Sequence, residues 1–295
     1  MKTPLFRGAA TALATPFDAR GQVDFDALER LIDRQLALGC GGLVLCATTG
    51  EGATLSDREY SDILACAAAR AGGRVPLLAG AGANDTRAAL RRCLEARRRG
   101  CDGALVVTPY YNKTTQPGLI AHYTALADGA GLPLLLYDVP SRTGMRIAPE
   151  TCAALAAHPL ICGIKEAGGD FSAIAKTRAL CPPDFALYSG NDDQTLPILA
   201  LGGLGVISTA GNLIPREMSD LCTRWENGDR DGALAMQLRV RPLCEALFTA
   251  VNPVPLKAAL AMLGLCGDRL RLPLVPLEDG LRPALAAALH GAGLL

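Results

Sequence analysis

One lysine stands where an apolar strand is predicted to end. Residues 160–164 are small or branched and apolar, Lys165 follows them, and Gly168-Gly169 interrupt the segment. This pattern predicts a buried strand that ends at Lys165 and continues as a loop. Burial disfavours the charged form of a lysine, and the neutral amine is a nucleophile for carbonyl groups. The alternative is a lysine that extends to solvent or pairs with Glu166.

Other polar side chains follow neighbouring predicted strands. Thr48-Thr49 lie in a glycine-rich loop, Tyr110-Tyr111 follow a later strand, and Tyr137 and Arg142 follow the next one. A phenol can donate and accept protons, and an arginine can bind a carboxylate with two parallel hydrogen bonds. Together with Lys165 they predict a Schiff-base enzyme acting on a 2-oxo acid. The alternative is that each residue is separately structural, with the threonine loop a capped turn.

The elements that must position these residues alternate along the chain. Short apolar runs predict strands at 8–13, 41–46, 76–81, 103–108, 133–137, 160–165, 185–189 and 205–208. Amphipathic stretches predict helices at 24–38, 56–71, 86–99, 116–130, 148–157, 171–180, 192–201, 215–227, 231–250, 254–263 and 281–289. Eight strands each followed by a helix predict an α/β fold, a (β/α)8 TIM barrel over residues 1–227. A C-terminal helical lobe is expected over residues 228–295. An open nucleotide-binding sheet would require G-x-G-x-x-G after the first strand, which is absent from the sequence.

Composition restricts the class of protein. The 295 residues are 50% hydrophobic and 20% charged, with 29 basic and 29 acidic residues. No basic stripe carries aromatics, so no nucleic-acid partner is expected, and the arginine run at 91–99 is interpreted as a solvated helix face. No leader or membrane segment is predicted. Eleven scattered cysteines without a C-x-x-C pair predict reduced thiols in the cytoplasm and no metal site.

Five motifs resemble the dihydrodipicolinate synthase family in order and spacing. They are Ala47-Thr48-Thr49-Gly50-Glu51, Tyr110-Tyr111-Asn112, Tyr137 to Gly144, Gly163 to Ala167, and Asn252-Pro253-Val254-Pro255. The resemblance runs from about residue 6 to about residue 289. It implies condensation of pyruvate with L-aspartate 4-semialdehyde to 4-hydroxy-tetrahydrodipicolinate, a step of lysine and diaminopimelate synthesis. It also implies a homotetramer, built as a dimer of dimers.

The resemblance further implies a role for each matching residue. Lys165 would carry the covalent imine, so no cofactor is expected. A proton relay would use Tyr137, Thr48 and, from a neighbouring subunit, Tyr111. Substrate would be bound by Thr49, Arg142 and the backbone of Gly190 and Ile207.

Two departures from the family pattern concern the site and its regulation. Ala47 replaces a usual glycine and Asp138 a usual asparagine; the new carboxylate is expected either to repel charge on Tyr137 or to pair with an arginine. A possible allosteric cleft matches Ala53, Asp57, Tyr60, Asn84, Ala88 and Tyr110. Because Ala88 lacks the carboxylate that grips lysine in inhibited members, weak or absent feedback by lysine is predicted.

Two other functions remain open on the sequence. The first is another pyruvate-dependent aldolase or lyase, such as N-acetylneuraminate lyase or a 2-keto-3-deoxy sugar-acid aldolase. Arg142 within Ser141-Arg142-Thr143-Gly144 favours the synthase over these. The second is a barrel that binds an oxo acid without turnover, which predicts no reductive trapping of pyruvate on Lys165.

Overall fold

A computed structural model describes residues 2–295, and within them eight parallel strands close into a barrel in sequence order. β1 hydrogen-bonds to β2 on one side and to β8 on the other. The strands are β1 Gly8–Ala12, β2 Gly42–Leu45, β3 Leu77–Gly80, β4 Gly103–Val107, β5 Leu134–Asp138, β6 Ile161–Glu166, β7 Ala186–Ser189 and β8 Gly205–Ser208. The predicted (β/α)8 barrel is therefore confirmed.

Twelve α-helices accompany the strands within residues 2–295. They are α1 Phe25–Ala37, α2 Asp57–Ala71, α3 Thr86–Arg98, α4 Gln116–Ala130, α5 Pro140–Thr143, α6 Pro149–Ala156, α7 Phe171–Leu180, α8 Thr195–Ala200, α9 Pro215–Glu226, α10 Arg230–Ala246, α11 Val254–Met262 and α12 Arg282–Gly291. A capping box begins α2, with the Ser56 hydroxyl accepting from the Glu59 N–H and the Glu59 carboxylate accepting from the Ser56 N–H. Such caps satisfy backbone donors that the first turn leaves free.

Two segments differ from their predicted form. The sequence predicts a loop where α5 lies, because four residues are too few for a helical period to be visible. Pro140 begins this helix, and Gly144, at φ 69°, ends it. The helix predicted at 192–201 is instead a 3-10 turn, Asp192–Gln194, followed by α8. Pro197 has no N–H for the carbonyl of Asp193, so the α-helix does not extend further toward its N-terminus.

Alternate strand residues form two separate cores. Inward-facing side chains, among them Ala10, Val44, Leu105 and Ile207, fill the barrel. The intervening residues face the surrounding helices and belong to a larger outer core. This alternation matters for the site, because the register aligns Tyr137 on β5 with Lys165 on β6, and Lys165 with Tyr188 on β7. Three inward-facing side chains thus stand side by side.

The C-terminal lobe packs α10 against α9 and α12, and α11 against α12. The proposed boundary at residues 227/228 stays a prediction. All eleven cysteines are free, and nine of them are buried. Within residues 2–295, no helix combines the length and apolarity needed to cross a membrane.

Candidate active site

Lys165 lies inside the barrel without an ionic partner. Its side chain is 5% exposed, and its Nζ lies 4.4 Å from the centroid of the Tyr137 ring. The lysine ion pairs found within residues 2–295 involve Lys176 and Lys257 instead. The alternative pairing with Glu166 is not formed, because successive strand residues face opposite sides of the barrel wall. The amine is thus held near a phenol, with no carboxylate of the described residues within ion-pairing distance.

Gly190 and Ile207 are expected to line the site with their backbone. Gly190 lies close to Lys165, and Ile207 lies in the barrel interior. A Cβ added to Gly190 would stand 3.1 Å from Lys165 Cε and 2.7 Å from Ala167 Cβ, so only glycine fits there unshifted. Ile207 is 1% exposed and points into the barrel with Tyr137. The chain therefore approaches the lysine stem closely on the β7 side.

A cavity of about 300 Å³ opens at the C-terminal end of the strands. Thr48, Tyr137 and Arg142 all line it, which brings three predicted site residues together. Lys165 is not in its wall, but the Tyr137 ring beside the amine is. Within the barrel family of folds this is the end where catalytic residues gather.

Asn252 connects two predicted substrate-binding residues. Its Nδ2 donates to Thr49 Oγ1 at 3.0 Å, and its carbonyl oxygen accepts from Arg142 Nη2 at 3.2 Å. Its Oδ1 is buried without a hydrogen-bond partner among the described residues. Sequence reasoning gave Asn252 no role, although it begins the fifth family motif. Thr49 is therefore positioned by the C-terminal segment rather than exposed in the cavity.

A second buried lysine secures the same loop. Lys257 is 0% exposed; its Nζ donates to Glu51 Oε1 at 2.6 Å and to the Arg269 carbonyl at 2.7 Å. Glu51 Oε2 also accepts from the Arg271 N–H at 3.0 Å. Burial lowers the pKa of Lys257, and the charge of Glu51 opposes that shift. This pair was not predicted, and it joins the threonine loop to α11.

Asp138 has no arginine partner among residues 2–295, so that expected alternative is wrong within this chain. Arg146, the nearest candidate, pairs with Asp170 at 2.8 Å. The Asp138 side chain faces the outer core, where its Oδ1 accepts from the Ile147 N–H at 3.3 Å. Burial, followed by repulsion from Glu166, raises the pKa of Asp138 to about 7. Burial also raises the pKa of Glu166, which sits beside Asp138 in register.

The structure adds two polar residues near Lys165. Tyr188 is fully buried, and its hydroxyl donates to the Phe6 carbonyl at 2.6 Å, so this phenol is already engaged. Asp192 Oδ2 accepts from the backbone N–H groups of Thr209 and Ala210, while Oδ1 has no partner among residues 2–295. Burial raises the pKa of Asp192, and the positive charge of Lys165 acts against this. The only sequence signal for Asp192 was its place after β7.

Tyr111 lies apart from the other predicted catalytic residues. Its side chain is 92% exposed, it lines neither cavity of the site region, and its backbone is left-handed at φ 69°. A left-handed conformation is uncommon for a bulky residue and costs energy. Within this chain alone, Tyr111 does not reach Lys165.

All six residues of the possible allosteric cleft line one cavity, a larger one of about 1160 Å³. It lies between α2 and α3 and is bordered by much of the arginine run interpreted above as a solvated face. This cavity is larger than the one at the strand ends, but it is not the catalytic one, because neither Lys165 nor Tyr137 lines it. No group of three or more potential metal ligands occurs in residues 2–295.

Comparison with known proteins agrees with this geometry. The model of the dihydrodipicolinate synthetase family matches residues 5–292. The chain belongs to that family. The 4-hydroxy-tetrahydrodipicolinate synthase of Alkaliphilus oremlandii is 46% identical over 93% of this chain and 94% of its own. The crystal structure of dihydrodipicolinate synthase from Thermotoga maritima has a TM-score of 0.97 at 40% identity, covering 99% of this chain and 100% of that one.

Two further structures in the family bear on assembly and regulation. A monomeric dihydrodipicolinate synthase variant has a TM-score of 0.97 at 40% identity, covering 99% of this chain and 98% of that one. The enzyme of Cyanidioschyzon merolae, solved with lysine bound, has a TM-score of 0.96 at 39% identity and covers 99% and 100%. Family members thus include proteins that differ in assembly and that bind lysine.

Proposed function

We propose that this protein is a 4-hydroxy-tetrahydrodipicolinate synthase, which condenses pyruvate with L-aspartate 4-semialdehyde. The observation that carries the proposal is Lys165, buried without a counter-ion beside Tyr137, at a cavity that Arg142 also lines. A relative that carries this name is 47% identical over 92% of this chain. The reaction needs no cofactor, because the lysine itself supplies the covalent link.

Lys165 begins the reaction as a nucleophile. Its neutral amine adds to C2 of pyruvate and water leaves, which gives an imine. The imine withdraws electrons, so the pyruvate methyl group loses a proton and becomes the nucleophilic carbon of an enamine. That carbon attacks the aldehyde, whose oxygen takes up a proton and becomes the product hydroxyl. The substrate's amine then attacks the imine carbon, closes the ring and releases Lys165.

Each proton in this sequence needs a nearby donor or acceptor. Tyr137 is suited to this, because its ring lies against the lysine amine and borders the cavity. Thr48 shares that cavity and extends the relay. Tyr111, exposed and held in a left-handed conformation, completes the relay from a second copy of the chain. The shared relay requires at least a dimer, and the family resemblance extends this to a homotetramer built as a dimer of dimers.

Carboxylate recognition is divided between two residues. Arg142 lines the cavity, and the Asn252 carbonyl fixes one of its N–H groups, so its remaining donors bind the semialdehyde carboxylate. Thr49 accepts from Asn252 and keeps its hydroxyl proton for the carboxylate of pyruvate bound to Lys165, which like Thr49 lies outside the cavity wall. The backbone of Gly190 and Ile207 closes the opposite side. We place the protein in the cytoplasm, where its reduced cysteines are stable.

The decisive experiment couples turnover of pyruvate and L-aspartate 4-semialdehyde to the following reductase and NADPH oxidation. We expect kcat/KM between about 10⁴ and 10⁸ M⁻¹s⁻¹. Arg142→Ala should lose roughly 10–100-fold in kcat/KM for the semialdehyde, at about 1.5–3 kcal/mol for a charged hydrogen bond. Borohydride should still trap pyruvate on Lys165 in that variant. No turnover, with trapping intact, would instead favour an aldolase acting on N-acetylneuraminate or 2-keto-3-deoxy acids.

A further inference from the structure

Asp192 is a buried carboxyl group that no cation contacts directly. Its side chain is 2% exposed, and the ion pairs formed within residues 2–295 do not include it. Its Oδ2 accepts from the Thr209 and Ala210 N–H groups at 3.0 and 2.8 Å, whereas Oδ1 has no hydrogen-bond partner among the described residues. An isolated buried carboxylate is costly, so such a group either keeps a proton or has a positive charge nearby.

Lys165 supplies the positive charge nearest to this carboxyl group. Gly190 comes two residues before Asp192, and a Cβ added to it would stand 3.1 Å from Lys165 Cε. The Gly190 N–H also donates to the Glu166 carbonyl at 2.7 Å, which joins this turn to β6. Burial raises the pKa of Asp192, and the charge of Lys165 acts against that shift. Two buried groups that interact in this way titrate as a pair.

The other titratable groups around Asp192 differ from Lys165 in charge or in burial. Cys222 on α9 and Cys244 on α10 lie near enough for the Asp192 charge to act on them. Burial raises the pKa of both thiols, that of Cys222 to about 12, so they are uncharged near neutral pH. Asp193 and Glu245 line a cavity of about 360 Å³ together with Asp192, but both are exposed to solvent. Water therefore screens their charges.

The groups that face the Lys165 amine are phenols. The Tyr137 ring centroid lies 4.4 Å from Nζ, and Tyr188 stands beside Lys165 in register on β7. Burial raises the pKa of Tyr188, whose hydroxyl donates to the Phe6 carbonyl, so this phenol is uncharged. Asp192 is thus the buried acid whose charge can balance a cation at Lys165.

We propose that Asp192 and Lys165 share one proton, which Asp192 holds in the free enzyme and releases when pyruvate forms the imine. The protonated imine forms as nitrogen bonds to C2 and the carbonyl oxygen leaves as water. The amine, pyruvate and one proton are consumed, and the cationic imine and one water are produced. Asp192 acts through Lys165 as a positioning residue: it leaves the amine neutral before the reaction and balances the nitrogen charge afterwards. This inference rests on the proposed function.

Calorimetry counts the protons taken up on pyruvate binding, from the heats in two buffers of different ionisation enthalpy. The test variant is Asp192→Asn, which keeps an acceptor for the Thr209 and Ala210 N–H groups. The control is Asp193→Asn, which removes the neighbouring exposed carboxylate from the same cavity. From about pH 6 to about pH 8.5, wild type and control should take up almost no protons and bind pyruvate with constant affinity.

The Asp192→Asn variant should behave differently, because its imine must take the proton from solvent. As the pH rises, its proton uptake should approach one per imine, and its dissociation constant for pyruvate should increase roughly tenfold per pH unit. Equal uptake by wild type and this variant would overturn the shared proton. Affinity weakened by the same factor at every pH, without uptake, would also overturn it, because Asp192 would then only support its loop.

Borohydride reduction of the wild type with pyruvate separates these outcomes from failure of the proposed function. Mass spectrometry should find the adduct on Lys165. Its absence would remove the Schiff-base mechanism and this inference together, whereas an adduct with equal proton uptake would overturn the inference alone.

Difference infrared spectroscopy of the wild type needs no substitution at Asp192. Pyruvate binding at about pH 8 should convert a buried carboxylic acid into a carboxylate, with bands that shift when the aspartate carboxyl groups carry an isotope label. The change should persist in Asp138→Asn, which lacks the other buried aspartic acid with a raised pKa. Unchanged aspartic acid bands would overturn the shared proton even if Asp192→Asn failed to fold.

Discussion

Lys165 and Lys257 are both buried, yet the groups around their amines differ. Lys257 donates to a carboxylate and a carbonyl, and its Nζ lies 4.0 Å from the centroid of the Phe17 ring. Lys165 has no carboxylate partner among the described residues and lies beside a phenol that borders a cavity. Burial alone therefore does not make a lysine a nucleophile. Pairing decides, because the acceptors around Lys257 fix its amine in place, whereas no carboxylate of the described residues lies within ion-pairing distance of the Lys165 amine.

The comparison extends to the elements that carry the two lysines. Lys165 lies one residue before the end of β6, where a parallel barrel opens toward substrate. Lys257 lies in the middle of α11, facing the loop that it secures. One lysine is suited to chemistry and the other to holding Thr48 and Thr49 in place.

Removing the amine of Lys165 gives the largest expected effect. Lys165→Ala should lower kcat by at least about 10³-fold, since no second nucleophile stands beside Tyr137. Mass spectrometry after borohydride reduction should find no pyruvate adduct, although Lys257 is intact. An adduct at wild-type yield in this variant would reverse the assignment of the two lysines.

Breaking the Lys257 pair should affect stability more than chemistry. Lys257→Met leaves the Glu51 carboxylate buried and unpaired, which should lower the free energy of unfolding by about 3–5 kcal/mol. Adding Glu51→Gln removes that charge and should restore most of the loss. Urea unfolding measures both. As a matched control, Arg282→Met breaks a partly exposed pair with Asp268 in the same lobe and should cost about 1 kcal/mol or less.

The folded Lys257→Met variant should still form the imine, since Lys165 is untouched. We expect borohydride trapping at wild-type yield once pyruvate is saturating, with a raised KM for pyruvate because Thr49 is less firmly held. Complete loss of trapping in folded protein would contradict the division of roles between the lysines.

The sequence predicted the barrel and the buried strand that carries Lys165 well, for local reasons. Strands buried on both faces appear as short apolar runs, so all of their predicted limits agree with the structure to within one residue. The Lys257–Glu51 pair spans 206 positions and the Asn252–Thr49 hydrogen bond 203. No periodicity or cap marks such contacts, so only the folded chain reveals which lysine is paired.

Asp138 tests whether ionic pairing, which distinguishes the two lysines, also distinguishes buried carboxylates. Its pKa of about 7 means that the native state keeps a proton which the unfolded chain, with a pKa of about 3.9, has already lost. Stability therefore falls as the pH rises from about 4 to 7. Asp138→Asn, which keeps an acceptor for the Ile147 N–H, should stabilise the protein by roughly 2–4 kcal/mol at pH 8.

That gain should shrink toward zero near pH 4, where the carboxyl is protonated in both states. Urea unfolding at a series of pH values measures it. Asp170→Asn is the comparison, because an exposed arginine partner and backbone N–H groups hold the pKa of Asp170 below its usual range. It should not stabilise the protein at pH 8. Equal, pH-independent effects of the two substitutions would show that the absence of an ionic partner does not determine how Asp138 affects stability.

Gly190→Ala gives the smallest expected effect and probes the space around Lys165 itself. The new Cβ would stand 2.9 Å from the Glu166 carbonyl oxygen and 3.1 Å from Lys165 Cε. The backbone cannot give way cheaply, because the Gly190 N–H donates to that carbonyl at 2.7 Å. We expect a loss of about 1–3 kcal/mol in stability from overpacking, and slower imine formation as the lysine stem is displaced.

Rapid mixing of pyruvate with enzyme, stopped by borohydride, measures the rate of imine formation. Gly264→Ala is a suitable control, because it also adds a methyl group in place of a glycine hydrogen. Gly264 has φ 66°, and no atom lies within 4 Å of the new Cβ. It should cost some stability through backbone strain while leaving imine formation unchanged. A wild-type rate in Gly190→Ala would mean that Lys165 tolerates displacement, and the close approach of β7 would then serve packing alone.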